Sequence, residues 1–180
     1  PLLNNGRVIV KTSGSGNLKK AIHEIYGLQI SSKLIEVKAS NDDYDIYGYI
    51  CKPEILKSNR YHMTTIVNDR IVRNNELNKA INDAYYTYKP DIKFPIVVLN
   101  INTDPTLIDV NIHPTKQDIK LSKIQGLYDL IYNTLKDDLY KNLLIPSALE
   151  RITSTTDIIE KEELNKMIDE KITHEGEKAV

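Results

Sequence analysis

The residues that could do chemistry in this chain are few, and most of them sit in one stretch. Asp109-Val-Asn-Ile-His-Pro-Thr-Lys116 alternates polar and apolar side chains. As a strand it turns Asp109, Asn111 and His113 to one face and Ile108, Val110 and Ile112 to the other. Two oxygen donors and one imidazole form an incomplete metal set, and His23, His62 and His174 are too scattered along the chain to complete it. Pro114 stops the strand and leaves Lys116 on a rigid turn. Such a lysine is either solvated, as nearly all lysines are, or a point charge that reaches into a neighbouring anionic site, and spacing alone favours neither.

The remaining candidates are weaker. Thr12-Ser-Gly-Ser-Gly16 lies between a strand and a helix, but Lys19 stands where a dinucleotide fingerprint needs glycine, and no segment supplies a P-loop. The loop reads as a flexible connection that delivers Asn17, a good N-cap, to the helix. Cys51 is the single cysteine and has no nucleophile pattern around it, so it reads as a small buried hydrophobe. One cysteine also excludes an internal disulfide framework and fits a reducing, cytoplasmic setting.

These residues need elements to hold them. Arg7 to Lys11 reads as a short strand, and Leu18, Ala21, Ile22 and Ile25 share one face of a helix ended by Gly27. Leu34 to Ala39 and Tyr44 to Cys51 form a hairpin closed by Pro53, followed by a loop or helical turn over 53–60. His62 to Val67 and Arg70 to Arg73 are joined by Asn68 and Asp69 alone, a spacing that requires positive φ at both. Asn74 or Asn75 then caps a helix with Leu77, Ala80, Ile81, Ala84 and Tyr85 on one face, and Pro90 ends it. Phe94 to Ile101 is apolar on both alternating sets, as a strand in the middle of a sheet must be. Ile124, Leu127, Ile131, Leu135 and Leu139 mark a long amphipathic helix stopped by Ile145 and Pro146. The order predicts an α/β fold, an α+β two-layer sandwich whose mixed, mostly antiparallel sheet is backed mainly on one face by helices.

The 180 residues suit one domain with an appendage, and 41% hydrophobic against 27% charged residues is a globular composition. No apolar run approaches the ~20 residues needed to cross a bilayer. The net charge of -1 hides a division. Residues 1–124 carry 17 Lys/Arg against 13 Asp/Glu, and 125–180 carry 7 against 12. The basic part can meet polyanions, although dedicated nucleic-acid modules concentrate more charge. Beginning at Pro1 with neither an initiator Met nor a secretory start, the sequence reads as a fragment.

D-V-N-I-H-P-T-K over Asp109 to Lys116 closely resembles the V-D-V-N-V-H-P-x-K signature of the MutL family of DNA mismatch-repair proteins. Two further stretches are similar to family segments in the same order. They are T-S-G-S-G-N-L from Thr12 with Ile25-Tyr-Gly27, and V-N-D-R-I-V-R from Val67 through Ala80 and Ile81. The resemblance implies a ribosomal protein S5 domain 2-like fold over residues 12–146, the transducer of the ATPase half. Residues 1–11 would end a preceding ATPase domain of the gyrase, Hsp90, histidine kinase and MutL type, and 147–180 would be an acidic, helix-prone start of an inter-domain linker. By the same resemblance, Lys116 contacts the γ-phosphate in the preceding domain's nucleotide site, with Asn111, His113 and Pro114 setting its loop. Arg70 and Arg73 match positions on the DNA-facing surface. ATP and Mg²⁺ would act in the full-length protein, with no cofactor in this fragment. Partners would be duplex DNA, the mismatch-recognition protein MutS and a second copy in the ATP-bound state. No match to the family's D-Q-H-A-x-x-E endonuclease motif occurs, Asp69 stands for the usual Gly of the V-N-G-R turn, and Asn75 stands where some members carry Arg. The rival readings are an S5-like nucleic-acid-binding or scaffold module without nucleotide coupling, and the transducer of a type II topoisomerase.

Overall fold

A computed structural model describes residues 1–109 and 119–143. The chain divides into two compact units, Pro1–Leu139 and Tyr140–Val180. The elements of the first unit are β1 (Leu2–Asn4), β2 (Arg7–Val10), α1 (Leu18–Tyr26), α2 (Leu28–Ser31), β3 (Leu34–Ser40), β4 (Tyr44–Cys51), β5 (Leu56–Lys57), β6 (Met63–Val67), β7 (Arg70–Val72), α3 (Asn75–Ala84), β8 (Phe94–Pro95), β9 (Val97–Thr103), β10 (Ile108–Asp109) and β11 (Lys120–Leu121). A last helix, α4, covers 124–143.

The sheet has five strands in the order β3-β4-β9-β6-β7, antiparallel except for the β6–β9 pair. Phe94 to Ile101 fulfils its central role, although Ile96 breaks it and the central strand proper is β9. One sheet face is apolar but for the buried Thr65, whose hydroxyl donates to Val72 O: Ile35, Val37, Ile46, Ile50, Leu99, Ile101 and Val67 are all buried. The stripes Leu77, Ala80, Ile81 and Ala84 of α3 and Leu127, Ile131 and Leu135 of α4 are buried too. Each fully buried Val, Leu or Ile among these contributes about 1.5–3 kcal/mol. On the opposite face Glu36, Lys38 and Tyr47 are exposed, and the loop before α1 lies against Tyr47 and Asn100.

In α1 only Ile22 of the four expected core positions is buried, and Ile25 is 53% exposed. Gly27, at φ 81°, turns the chain so that Tyr26 and Ile30 reach the apolar cluster around Cys51 and Ile96 in its place. The β1 strand was not anticipated. Asn5 and Gly6 both take positive φ and close a β1–β2 hairpin on which Leu2, Leu3, Val8 and Ile9 are exposed. Among the described residues no helix is long and apolar enough to cross a membrane.

Candidate functional site

The Asp109–Lys116 motif leaves the sheet through a sequence of local constraints. Asp104 caps the turn Pro105–Leu107 by accepting from the Thr106 amide and hydroxyl, each at 2.8 Å. The Thr106 amide in particular holds the Asp104 carboxyl below the usual carboxylate range. β10 follows at once and pairs with β11, Asp109 opposite Lys120, and the ladder continues where the Ser122 amide donates to Leu107 O at 2.8 Å. Ile119 and Leu121 are buried beside it. Both flanks of 110–118 are thus side by side. Asn111, His113, Pro114 and Lys116 themselves lie outside the described residues, as do Ile145, Pro146 and the acidic segment 147–180.

The β6–β7 hairpin turns as its spacing requires, with φ 43° at Asn68 and 65° at Asp69. Arg70 and Arg73 are both exposed, and among the described residues neither is in an ion pair. They do not meet. Arg70 edges a cleft of about 330 Å³ walled by Val67, Val72, Pro105, Ile108 and Ile119. Arg73 lines another of about 300 Å³ with Arg60, Tyr61, Ile71, Asn75 and Asn78. A neighbouring cleft of about 700 Å³ shares Arg60, Tyr61, Asn75 and Asn78 and adds Lys79 and Asn82. Among the described residues no carboxylate lines either of these two clefts. The buried Asn82 Oδ1 has no hydrogen-bond partner among the described residues. Sequence reasoning passed over Arg60 and Lys79. The available signal was the back of α3, where Asn75, Asn78, Lys79 and Asn82 recur at helical spacing; Asp83, one turn beyond Lys79, accepts from the Tyr128 hydroxyl, over whose ring Lys79 Nζ lies at 5.8 Å.

The other candidates have structural roles. The Ser13 amide donates to Glu24 Oε2 at 2.9 Å and Asn17 caps α1 at the Lys20 amide, so a carboxylate already occupies the Gly-rich loop. His23 Nδ1 lies 2.7 Å from Ser31 Oγ, and His62 Nδ1 lies 3.3 Å from the Tyr26 hydroxyl. Burial pushes the Cys51 thiol up to about 11, so it is a poor nucleophile near neutral pH. No three metal-ligating side chains converge among the described residues.

The model of the family described as "DNA mismatch repair protein, C-terminal domain" matches residues 22–140. The chain belongs to the MutL family. It is 42% identical over 155 residues to the DNA mismatch repair protein MutL of Streptococcus sanguinis, covering 86% of this chain and 24% of that protein. It is also 42% identical over 151 residues to MutL of Pediococcus pentosaceus, covering 84% and 23%. The chain therefore spans about a quarter of the length of these MutL relatives. Among solved structures, it is similar to the crystal structure of the N-terminal domain of a DNA repair protein, with TM-score 0.65 and 26% identity over 77% of this chain and 45% of that one. The fold is the expected S5 domain 2-like sandwich.

Proposed function

We propose that this chain is the transducer of a MutL-type ATPase: it carries Lys116 to the γ-phosphate of ATP bound in a preceding domain and so couples nucleotide state to dimer closure and DNA engagement. The observation that supports the reading is the pairing of Asp109 with Lys120, which holds the first residue of the D-V-N-I-H-P-T-K motif beside a residue four positions beyond its last. A lysine that binds only the triphosphate state has differential affinity for two states, and that is what converts hydrolysis into a change of domain arrangement. Asn111 and His113 shape its loop in this reading, and Mg²⁺ accompanies ATP. Membership of the MutL family argues against the topoisomerase alternative.

DNA contact belongs to the same proposal. Arg60 and Arg73 line one cleft and Arg60 and Lys79 its neighbour, and no carboxylate among the described residues lines either, which suits phosphate oxygens. Arg70, in its apolar cleft, is a separate contact. MutS and a second ATP-bound copy are the protein partners in this reading.

The deciding experiment is single-turnover ATP hydrolysis and ATP-dependent closure in the complete protein, wild type against Lys116→Ala. Loss of both by ~100-fold, with ADP binding retained, is the expected result for a group that acts on the γ-phosphate. Unchanged turnover and closure would leave the scaffold or nucleic-acid module as the better description.

A further inference from the structure

The cleft shared by Arg60 and Arg73 has a floor that phosphate binding does not need. Met63 and Val72, both buried, line it together with Ile71 and Tyr61, which are 64% and 76% exposed. Tyr61 stands on the turn Arg60–His62, which is held at both ends. Asn59 Oδ1 accepts from the Tyr61 amide at 3.1 Å, the Met63 amide donates to Arg60 O, and His62 Nδ1 lies 3.3 Å from the Tyr26 hydroxyl. Among the described residues the Tyr61 hydroxyl has no hydrogen-bond partner and its ring makes no contact with another aromatic ring. The backbone beneath the ring is therefore fixed while the ring itself is open to solvent. Tyr61 and Arg60 also line the adjoining cleft, where Lys79 lies, and Asn75 and Asn78 line both. Arg60, like Arg73, is in no ion pair among the described residues.

We propose that this cleft is a nucleobase subsite: one unpaired base lies on the Tyr61 ring, over the apolar floor, while the phosphates on either side of it meet Arg73 on one hand and Arg60 and Lys79 on the other. The proposal rests on the DNA reading of these clefts and names what they select, a strand with a base out of its pair. Phosphates alone require only cations on an open surface, and a duplex offers phosphates and groove edges but keeps its base faces stacked on one another. An apolar, aromatic recess between the cations finds its match when a base face is free. At about 300 Å³ the cleft has the size of a small-molecule site and suits one base rather than a double helix. The π face of Tyr61 serves any base, and the Asn75 and Asn78 amides, each with donors and an acceptor, serve base edges of either kind, so no particular sequence is required. Cations in two adjoining clefts also repeat, as the phosphates of a strand do and a single acidic side chain does not. Because the turn holds the ring in place beforehand, little freedom is lost when a base arrives.

The test measures the affinity of the complete protein for an oligothymidylate, for an abasic oligonucleotide of the same length and for a blunt duplex. Tyr61→Ala is expected to weaken the oligothymidylate by ~10-fold, the scale of one base–aromatic stack, with the abasic strand and the duplex unaffected. Its plot of log affinity against log salt should keep its slope, since no phosphate contact is lost, whereas Arg60→Ala should flatten that plot by ~0.7 for one contact to a single strand. Tyr61→Phe should keep the wild-type affinity because it keeps the ring. Unchanged binding of oligothymidylate by Tyr61→Ala overturns the proposal and leaves the apolar floor to an acidic segment of a partner protein. An equal loss for the abasic strand overturns it too, as does a loss in Tyr61→Phe as large as that in Tyr61→Ala, since neither reports stacking. If Arg60→Ala and Arg73→Ala leave affinity and slope intact, the DNA reading of the clefts fails and the subsite with it. If the arginine variants weaken binding and Tyr61→Ala does not, only the subsite fails.

Discussion

Gly48 shows how far a single residue can be constrained by backbone alone. It sits in β4 opposite Leu99, and a Cβ there would lie 2.1 Å from the Val98 carbonyl oxygen and 3.0 Å from Leu99 Cα. Those atoms belong to the central strand and cannot swing aside as a side chain would. Gly48→Ala is expected to destabilise the protein by about 1–3 kcal/mol or more, as overpacking does in a filled core. Urea midpoints of the two proteins give the answer, and a shift below ~0.5 kcal/mol, the range of neutral surface changes, would mean that the β4–β9 approach is not tight. Nothing in the sequence marks Gly48, because the atoms it must clear are about fifty residues away. Asn74 was legible as a helix cap since its amide partners are its neighbours. The two hydrogen bonds between the Asn68 carboxamide and the Thr103 backbone were not, because Thr103 lies 35 residues further along the chain.

Turns and caps were the most readable elements, because they depend on residues adjacent in sequence. The two residues between β6 and β7 forced positive φ, and both have it. Asp69 adopts φ 65°, a conformation that costs a non-glycine residue energy and costs glycine almost nothing. Asp69→Gly is therefore expected to raise stability by roughly 0.5–1 kcal/mol, less than the full left-handed penalty because the unfolded chain gains freedom as well. Thermal or urea unfolding would show it, and a destabilised variant would mean that the carboxylate makes a stabilising contact of its own. Faces were less readable than turns. Periodicity placed Ile25 in the core, yet the bend at Gly27 hands that place to Tyr26 and Ile30. The β1–β2 hairpin went unread because its apolar residues are exposed and show no one-sided alternation.

At the scale of the whole molecule, family, fold class and the layered core were legible, while the strand order was not. The parallel β6–β9 pair joins segments separated by α3, and no local pattern encodes that choice. Charge distribution was visible only as a total: positive in 1–124 and negative in 125–180. Folding sorts the positive part further, by gathering Arg60, Arg73 and Lys79 around two clefts to which no described residue brings a carboxylate. If that face holds DNA phosphates, Arg60→Ala and Arg73→Ala in the complete protein should each weaken binding and flatten the plot of log affinity against log salt by about one phosphate contact, a slope change near 0.9. Slopes that stay unchanged in both variants would move the DNA contact elsewhere. The strand order also has a consequence in time. β9 is the centre of the sheet and the last of its five strands to be synthesised. The β3–β4 and β6–β7 hairpins therefore emerge from the ribosome with their inner edges bare and wait for residue 103, for about 2–6 s after β7 at ~5–20 residues per second. Bare edges recruit strands from other chains. A chain interrupted in that interval is the form of this protein most prone to aggregate, however stable the finished sheet is.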